Sequence, residues 1–377
     1  MLKTFESSSQ ANSQFFVEDK IYTGFVINNF LSYEAFPKTS AAFINELKLG
    51  YKTSGNEEWH QYYNYPEVAI SFFAGSLGNK KEFGNIKGIL PSIDFCLKNT
   101  SKYDINLSLG WGIAYFNKPY DSITNPHNIL IGSHFTHFAA MSLSYQIHLK
   151  NNFRLNLTGA YLHASNGHYQ VPNGGMNLAT IAVGAKKYFG ENKVVSITDK
   201  KAIREKKDFY LKFGYGIHEF AGTLYPTGTP KYKVYTATFL YGKNYKPFIK
   251  YFIGFTGKIY EAFKTTIEEE NLYSKNIFLK SSIFTFVLGN EFQFGNFAIF
   301  TNGGLNIYTP FVKQHVYKKE HIYNIDNILE LYISSKLGMR YYLFDPQTSK
   351  HNLFVSWAIK ANFGNADFTE VSVGVVL

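Results

Sequence analysis

Alternation of apolar and polar residues is the feature that most constrains this chain. Across 104–113, apolar side chains occupy every second position: Ile105, Leu107, Leu109, Trp111 and Ile113. Small or polar residues lie between them, and the same pattern recurs at 141–150, 209–217 and 352–363. Side chains in a strand point alternately to its two faces, so each segment predicts a strand with one apolar face. The chain is therefore predicted to be all-β.

Strand length and composition favour a membrane barrel over a soluble sandwich, which also alternates. The segments run for roughly 9–12 residues, the length that a tilted strand needs to cross a bilayer. Aromatic residues make up 18% of the 377 residues, with 29 Tyr and 36 Phe, which suits the aromatic girdles of outer-membrane barrels. No apolar run approaches the roughly 18–20 residues of a spanning helix. We expect an antiparallel transmembrane β-barrel of about 12–16 strands.

The order of segments along the chain predicts the domain organisation. Residues 1–19 are polar and lack the apolar core of a secretory signal, so we expect a flexible lead-in. A polar, lysine-rich connection at 191–208 separates residues 20–190 from further strands at 209–377. The pattern leaves open whether the later strands enlarge the first barrel or form a second. Short turns and unbroken alternation favour a single barrel over 20–377.

The net charge and the cysteine content limit the classes of partner and of metal site that the chain is expected to have. The net charge is +10, but the basic residues are scattered, with a denser patch only at 200–207. Attraction to anionic lipid head groups explains this charge at least as well as nucleic acid, so we expect membrane lipids as partners. The single cysteine, Cys96, excludes an internal disulfide and a cysteine-rich metal site. No metal or cofactor is expected, since the candidate histidines fall in different loops and faces: His127, His134, His137, His148 and His168.

The segment Gly159–Asn177 carries the candidate chemistry. On alternate positions, His163 and Ser165 share one strand face with Leu155 and Leu157, the apolar face that a barrel turns to lipid. The two residues are about 7 Å apart at the backbone, and an imidazole can span that gap to take the serine proton. Alone, the His-x-Ser pattern is weak, and a polar pair at a strand end is the simpler explanation.

Further runs of residues accompany the pair. They are His163-Ala-Ser165-Asn166-Gly167 and Pro172-Asn173-Gly174-Gly175-Met176-Asn177, with Thr124-Asn125-Pro126-His127-Asn128 and Ile131-Gly132-Ser133 upstream. Together they resemble the active-site signature of the PagL family, the outer-membrane lipid A 3-O-deacylases, in the longer form of Bacteroidetes-type bacteria. The resemblance covers about residues 20–190, whereas the C-terminal half has only the barrel pattern.

The resemblance implies a serine esterase in the outer membrane of a Gram-negative bacterium, acting without a cofactor on lipid A or a related glycolipid. Ser165 would be the nucleophile, His163 the general base and Asn166 an oxyanion-hole donor. In the family, a glutamate commonly completes the triad at the position that Asn177 occupies here. An amide oxygen can orient the imidazole but cannot stabilise an imidazolium by charge. The chain could therefore be slower, recruit another carboxylate or be inactive.

Two other classes of protein remain as alternatives. The first is a non-catalytic outer-membrane barrel, such as a channel or a surface-interaction protein, and a homodimer is compatible with either function. The second, a soluble lipid-binding barrel, is disfavoured by the length of the chain.

Overall fold

The computed structural model describes residues 13–29, 35–190, 207–315, 328, 331–362 and 364–377. These residues form sixteen antiparallel strands, which confirms the all-β prediction and agrees with the predicted strand number. The strands form two closed barrels of eight strands each. No helix within these ranges is both long and apolar enough to cross a membrane.

The first barrel is built from strands in sequence order. Their bounds are β1 Gln14–Val26, β2 Ala42–Lys52, β3 Glu67–Ser76, β4 Asn85–Asn99, β5 Tyr103–Phe116, β6 Phe135–His148, β7 Phe153–Ser165 and β8 Met176–Phe189. A short helix, α1 Glu58–Tyr62, lies between β2 and β3. The barrel closes where β8 pairs with β1, with Val183 opposite Ile21.

The second barrel repeats this up-and-down order. Its strands are β9 Lys207–Glu219, β10 Lys231–Lys246, β11 Ile249–Tyr260, β12 Ser282–Phe294, β13 Phe297–Tyr308, β14 Ile333–Tyr342, β15 Asn352–Asn362 and β16 Asn365–Val376. The described parts of its connections include the helices α2 Glu261–Glu269, α3 Ile277–Lys280 and α4 Pro310–Val312. This barrel closes where β16 pairs with β9, with Val373 opposite Phe213.

The expectation of one large barrel is therefore wrong. Alternation gives each strand two faces but does not say which strand it pairs with, so it cannot distinguish one closure from two. Eight strands enclose a lumen that side chains can just fill. Bulky residues such as Phe16 and Phe138 occupy the first interior, and Tyr210 and Phe354 occupy the second. Each half of the chain thus has a core of its own.

The two faces of the strands have opposite character. Outward residues are apolar and exposed, as at Ile21, Leu157 and Phe213. Inward residues include charged pairs that water does not reach. In the first lumen, Lys20 Nζ lies 3.3 Å from a Glu46 oxygen. In the second, Lys212 Nζ lies 2.6 Å from a Glu370 oxygen. The predicted apolar outside and polar lumen are confirmed.

The expected lead-in at 1–19 is too long, because β1 already begins at Gln14. Glu18 and Lys20 are polar because they point into the lumen, where both are buried, and not because the segment is a solvated tail. The predicted connection at 191–208 lies outside the described residues up to 206, and β9 begins at Lys207.

The chain divides into two compact units, which correspond to the two barrels except for two short segments. The second unit contains β9–β16 together with two segments from earlier in the chain, Ile129–Gly132 and Ser165–Gly174. The connection after β7 is therefore packed as part of the second unit.

Candidate active site

The pairing of β7 with β8 sets the position of the candidate base. His163 lies directly opposite Asn177 in the strand register. Its Nδ1 is 2.6 Å from Asn177 Oδ1, and the Tyr161 hydroxyl donates to the same oxygen at 2.7 Å. An amide oxygen can only accept, so the neutral form of His163 that fits this contact carries its proton on Nδ1 and has a lone pair on Nε2. This is the tautomer that a general base needs.

A glycine allows the chain to enter β8 beside this imidazole. Gly175 has φ +78°, in the left-handed region, and a Cβ there would lie 3.2 Å from His163 Cε1. A larger residue would be strained by its backbone conformation and would press on the ring. The second glycine of the Asn-Gly-Gly run is thus fixed by its backbone conformation and by its contact with the candidate base.

Ser165 is the last residue of β7 and has its own set of contacts. Its Oγ donates a hydrogen bond to Asn173 Oδ1 at 3.1 Å. The Asn166 backbone N–H donates to the same oxygen at 3.0 Å, and the Gly167 N–H donates to Ser165 Oγ at 3.2 Å. The serine is only 5% exposed. The expectation that it faces lipid directly is therefore wrong, because the residues after β7 cover it.

Asn166 was expected to supply an oxyanion donor from its side chain. In the structure its Nδ2 donates to the Gln170 carbonyl oxygen at 2.6 Å, which commits the amide to the loop. Of the two backbone N–H groups that follow the serine, that of Gly167 donates to Ser165 Oγ and that of Asn166 donates to Asn173 Oδ1. Gly167 has φ +66° and His168 φ +67°, so the chain turns sharply just after the serine.

The upstream runs of the signature are structural. Asn125 Nδ2 donates to the Glu82 carbonyl at 2.9 Å, and Asn128 Nδ2 donates to the Lys118 carbonyl at 2.7 Å. These bonds hold the long β5–β6 connection in place. Ile129, next in sequence, accepts a hydrogen bond from the Gly174 N–H at 3.1 Å.

Across the described ranges, no group of three or more His, Cys, Asp or Glu side chains is arranged to hold a metal ion. His168 lies in the β7–β8 connection, where burial lowers the pKa of its imidazole. His148, at the opposite end of the first barrel, has Nε2 2.8 Å from an Asp104 oxygen.

The structure thus places the four predicted residues as follows. His163 and Asn177 are hydrogen-bonded, Ser165 lies two positions beyond His163 on β7, and the Asn166 side chain is used elsewhere. Sequence reasoning missed Asn173 and Tyr161. Asn173 belongs to the quoted run Pro172–Asn177 but was given no role there, and Tyr161 was not singled out.

Comparison with known proteins gives a family match to the first barrel. Residues 45–186 match the model of the family described as lipid A 3-O-deacylase (PagL). The match begins within β2 and ends within β8, so it includes His163, Ser165 and Asn177. The second barrel lies outside it.

Among solved structures, the Neisserial surface protein A has a TM-score of 0.33 and 10% identity, covering 46% of this chain and 97% of that one. The β domain of the Bordetella autotransporter BrkA has a TM-score of 0.25 and 8% identity, covering 97% and 98%. The ferric enterobactin receptor PfeA of Pseudomonas aeruginosa has a TM-score of 0.23 and 8% identity, covering 93% of this chain and 54% of that one. No curated protein matches the sequence.

The location of the protein follows from the family match and the fold. Both barrels are closed, antiparallel and apolar on the outside. Together with the match to a lipid A deacylase family, this places the chain in the outer membrane of a Gram-negative bacterium.

Proposed function

Because residues 45–186 match the lipid A 3-O-deacylase (PagL) family, we propose that the chain is a serine esterase that hydrolyses an ester-linked acyl chain of lipid A or a related glycolipid. The observation that carries the proposal is the hydrogen bond between His163 and Asn177. His163 lies two positions before Ser165 on the same strand. The hydrogen bond leaves the His163 Nε2 lone pair available for the serine proton.

The proposed reaction is acyl transfer followed by hydrolysis. Ser165 Oγ attacks the ester carbonyl carbon while His163 Nε2 takes the hydroxyl proton. His163 then gives that proton to the leaving alkoxide of the sugar, and the acyl chain stays on Ser165. Water, deprotonated by His163, releases the fatty acid and restores the serine. No cofactor takes part.

Asn173 holds the Ser165 hydroxyl in the resting state. For attack, the hydroxyl proton must leave Asn173 Oδ1 and turn towards His163. The Gly167 N–H must then release Ser165 Oγ, and the Asn166 N–H must release Asn173 Oδ1. We propose that the backbone N–H groups of Asn166 and Gly167 then stabilise the oxyanion, in place of the Asn166 side chain.

Asn177 fixes the orientation of the His163 imidazole but carries no charge. Its Oδ1 accepts hydrogen bonds from both His163 and Tyr161, so its orientation is determined by two donors. A carboxylate at this position would also stabilise the imidazolium formed during attack. We therefore expect an active enzyme with a lower rate than a carboxylate triad gives.

The outer face of β7 favours an acyl chain as the group recognised. Leu155, Leu157 and Tyr161 are exposed and lie on the same face as His163. In the membrane this face contacts lipid, so an acyl chain can approach it from the bilayer.

The channel alternative has less support. The lumen of each barrel contains buried ion pairs, such as Lys186 with Glu67 and Arg340 with Glu291. Eight strands leave room for little more than these side chains.

Replacement of Ser165 tests the proposal. In Ser165→Ala, release of fatty acid from lipid A, measured by mass spectrometry, should fall by a factor of about 10⁴ or more while the barrel remains folded. Ser356→Ala is the matched control, because Ser356 is a buried strand serine of the second barrel, hydrogen-bonded to Ser372 at 2.6 Å. Release that persists in Ser165→Ala would end the serine-esterase proposal.

A further inference from the structure

The connection from Asn166 to Gly175 is held by the segment that begins at the end of β9. The Val171 N–H donates to Glu219 Oε2 at 2.8 Å. The Asn173 N–H donates to the Thr223 carbonyl at 2.8 Å, and the Glu219 N–H donates to the His168 carbonyl at 3.1 Å. All of these contacts lie within the second compact unit. The connection that begins just after Ser165 is therefore hydrogen-bonded at three points to Glu219 and Thr223.

Glu219 has the central role in this arrangement. Its side chain is buried, with 1% exposed. While Oε2 accepts the Val171 N–H, Oε1 accepts the Thr229 N–H at 2.9 Å and the Thr229 hydroxyl at 3.2 Å. A carboxylate has two acceptor oxygens and no donor, which suits a position surrounded by donors. Hydrogen bonds to a charged acceptor are also stronger than neutral ones.

Val171 is close in sequence to the residue that holds the serine. Asn173, two positions later, accepts hydrogen bonds from the Ser165 hydroxyl and the Asn166 N–H through one oxygen. The position of that oxygen depends on the backbone between Gln170 and Gly174. This backbone is also bonded to Ile129 through the Gly174 N–H and to the Asn166 side chain through the Gln170 carbonyl.

We infer that Glu219 is a positioning residue for Ser165, acting through Val171 and Asn173. This inference rests on the proposed function, since it gives the C-terminal half of the chain a part in the same reaction. A residue outside the family match would thereby set the geometry of the nucleophile. Displacement of a reacting group by a fraction of an ångström is enough to lower a rate several-fold.

Glu219→Leu tests this role with little change in side-chain volume. Leucine has no acceptor oxygen, so the bonds to Val171 and to Thr229 are both lost. We expect kcat for acyl release to fall about tenfold with KM within about twofold of wild type. Hydrogen–deuterium exchange of peptides covering 166–175 should become about tenfold faster.

Two controls separate positioning from general stability. Thr229→Val removes one donor to Glu219 and leaves the Val171 bond, so kcat should stay within about twofold of wild type. Glu291→Gln disturbs a buried carboxylate of the second lumen, paired with Arg340 at 2.6 Å, and should lower stability without changing exchange at 166–175.

The outcomes are distinct. A fall in kcat with faster exchange in Glu219→Leu alone supports the inference. Wild-type kcat in Glu219→Leu, or an equal fall in Glu291→Gln, overturns it and leaves the esterase proposal intact. A wild-type protein that releases no fatty acid and does not react with an alkyl fluorophosphonate overturns the proposed function, and this role with it.

Discussion

The two barrels share one architecture but differ in the connection between their seventh and eighth strands. Each has eight antiparallel strands in sequence order and a lumen of buried ion pairs. In the first, ten residues separate β7 from β8, and they include the turn that holds Ser165. In the second, β15 ends at Asn362 and β16 begins at Asn365. The barrel alone therefore does not make a site, because the candidate chemistry depends on the connection and the strand ends beside it.

The lumens of the two barrels, in contrast, are alike. The first pairs Lys20, Lys48 and Lys186 with carboxylates, and the second does the same for Lys212, Lys336 and Arg340. Such networks occur in both barrels, whereas the family match covers only the first. We therefore assign them to stability and not to chemistry.

The largest difference between the barrels should come from His163→Ala. Removal of the base should lower acyl release by a factor on the order of 10⁴–10⁶, because a triad acts as a unit. His148→Ala, at the other end of the first barrel, should leave the rate nearly unchanged. A similar loss in both variants would mean that the barrel as a whole, and not its β7 end, supports the activity.

The next effect concerns Asn177, the departure from the family pattern. Asn177→Ala should lower the rate by up to about 10⁴, because the imidazole loses the acceptor that fixes its tautomer. Asn177→Glu should equal or exceed the wild-type rate, since an anion also stabilises the imidazolium. Rates of wild type and both variants, measured on one lipid A preparation, check this. Wild-type activity in Asn177→Ala would remove Asn177 from the mechanism.

The lumens should respond alike in the two barrels. Lys186→Met and Lys212→Met each remove one cation from a buried carboxylate, that of Glu67 and that of Glu370, which should lower the free energy of unfolding by up to about 3–5 kcal/mol. Denaturant unfolding in detergent measures the loss. The fraction that stays folded should keep its kcat. A folded Lys186→Met protein without activity would show that the first lumen has a catalytic part after all.

The smallest effect is expected at the surface of the second barrel. Lys264 and Glu268 form an exposed pair at 3.8 Å on α2. Lys264→Gln should change the free energy of unfolding by less than about 0.5 kcal/mol, because solvent screens exposed pairs. A loss comparable with that of Lys212→Met would contradict the distinction between lumen and surface.

The sequence predicted the strand faces and the candidate pair because both depend on local periodicity. His163 and Ser165 follow from alternation along β7, and the contact with Asn177 follows from the family resemblance. The end of the predicted lead-in was misjudged because a polar residue in a lumen, such as Glu18, looks like one in a solvated tail.

The closure of the strands into two separate barrels could not be predicted in this way, and neither could the hydrogen bonds that hold the connection after Ser165. Closure depends on which strands pair, as β8 does with β1, and alternation is the same for any partner. The Val171–Glu219 hydrogen bond joins residues 48 positions apart, and nothing in either local pattern indicates the other. Long-range contacts of irregular segments leave no periodic signal in a single sequence.

The most direct test of the central claim is to find the nucleophile chemically. The folded protein in detergent is treated with a long-chain alkyl fluorophosphonate, which reacts with activated serines, and the adduct is mapped by peptide mass spectrometry. The account predicts one adduct, on Ser165, that is lost in His163→Ala. Active protein that stays unlabelled at Ser165, or an adduct on a serine of the second barrel, would contradict it.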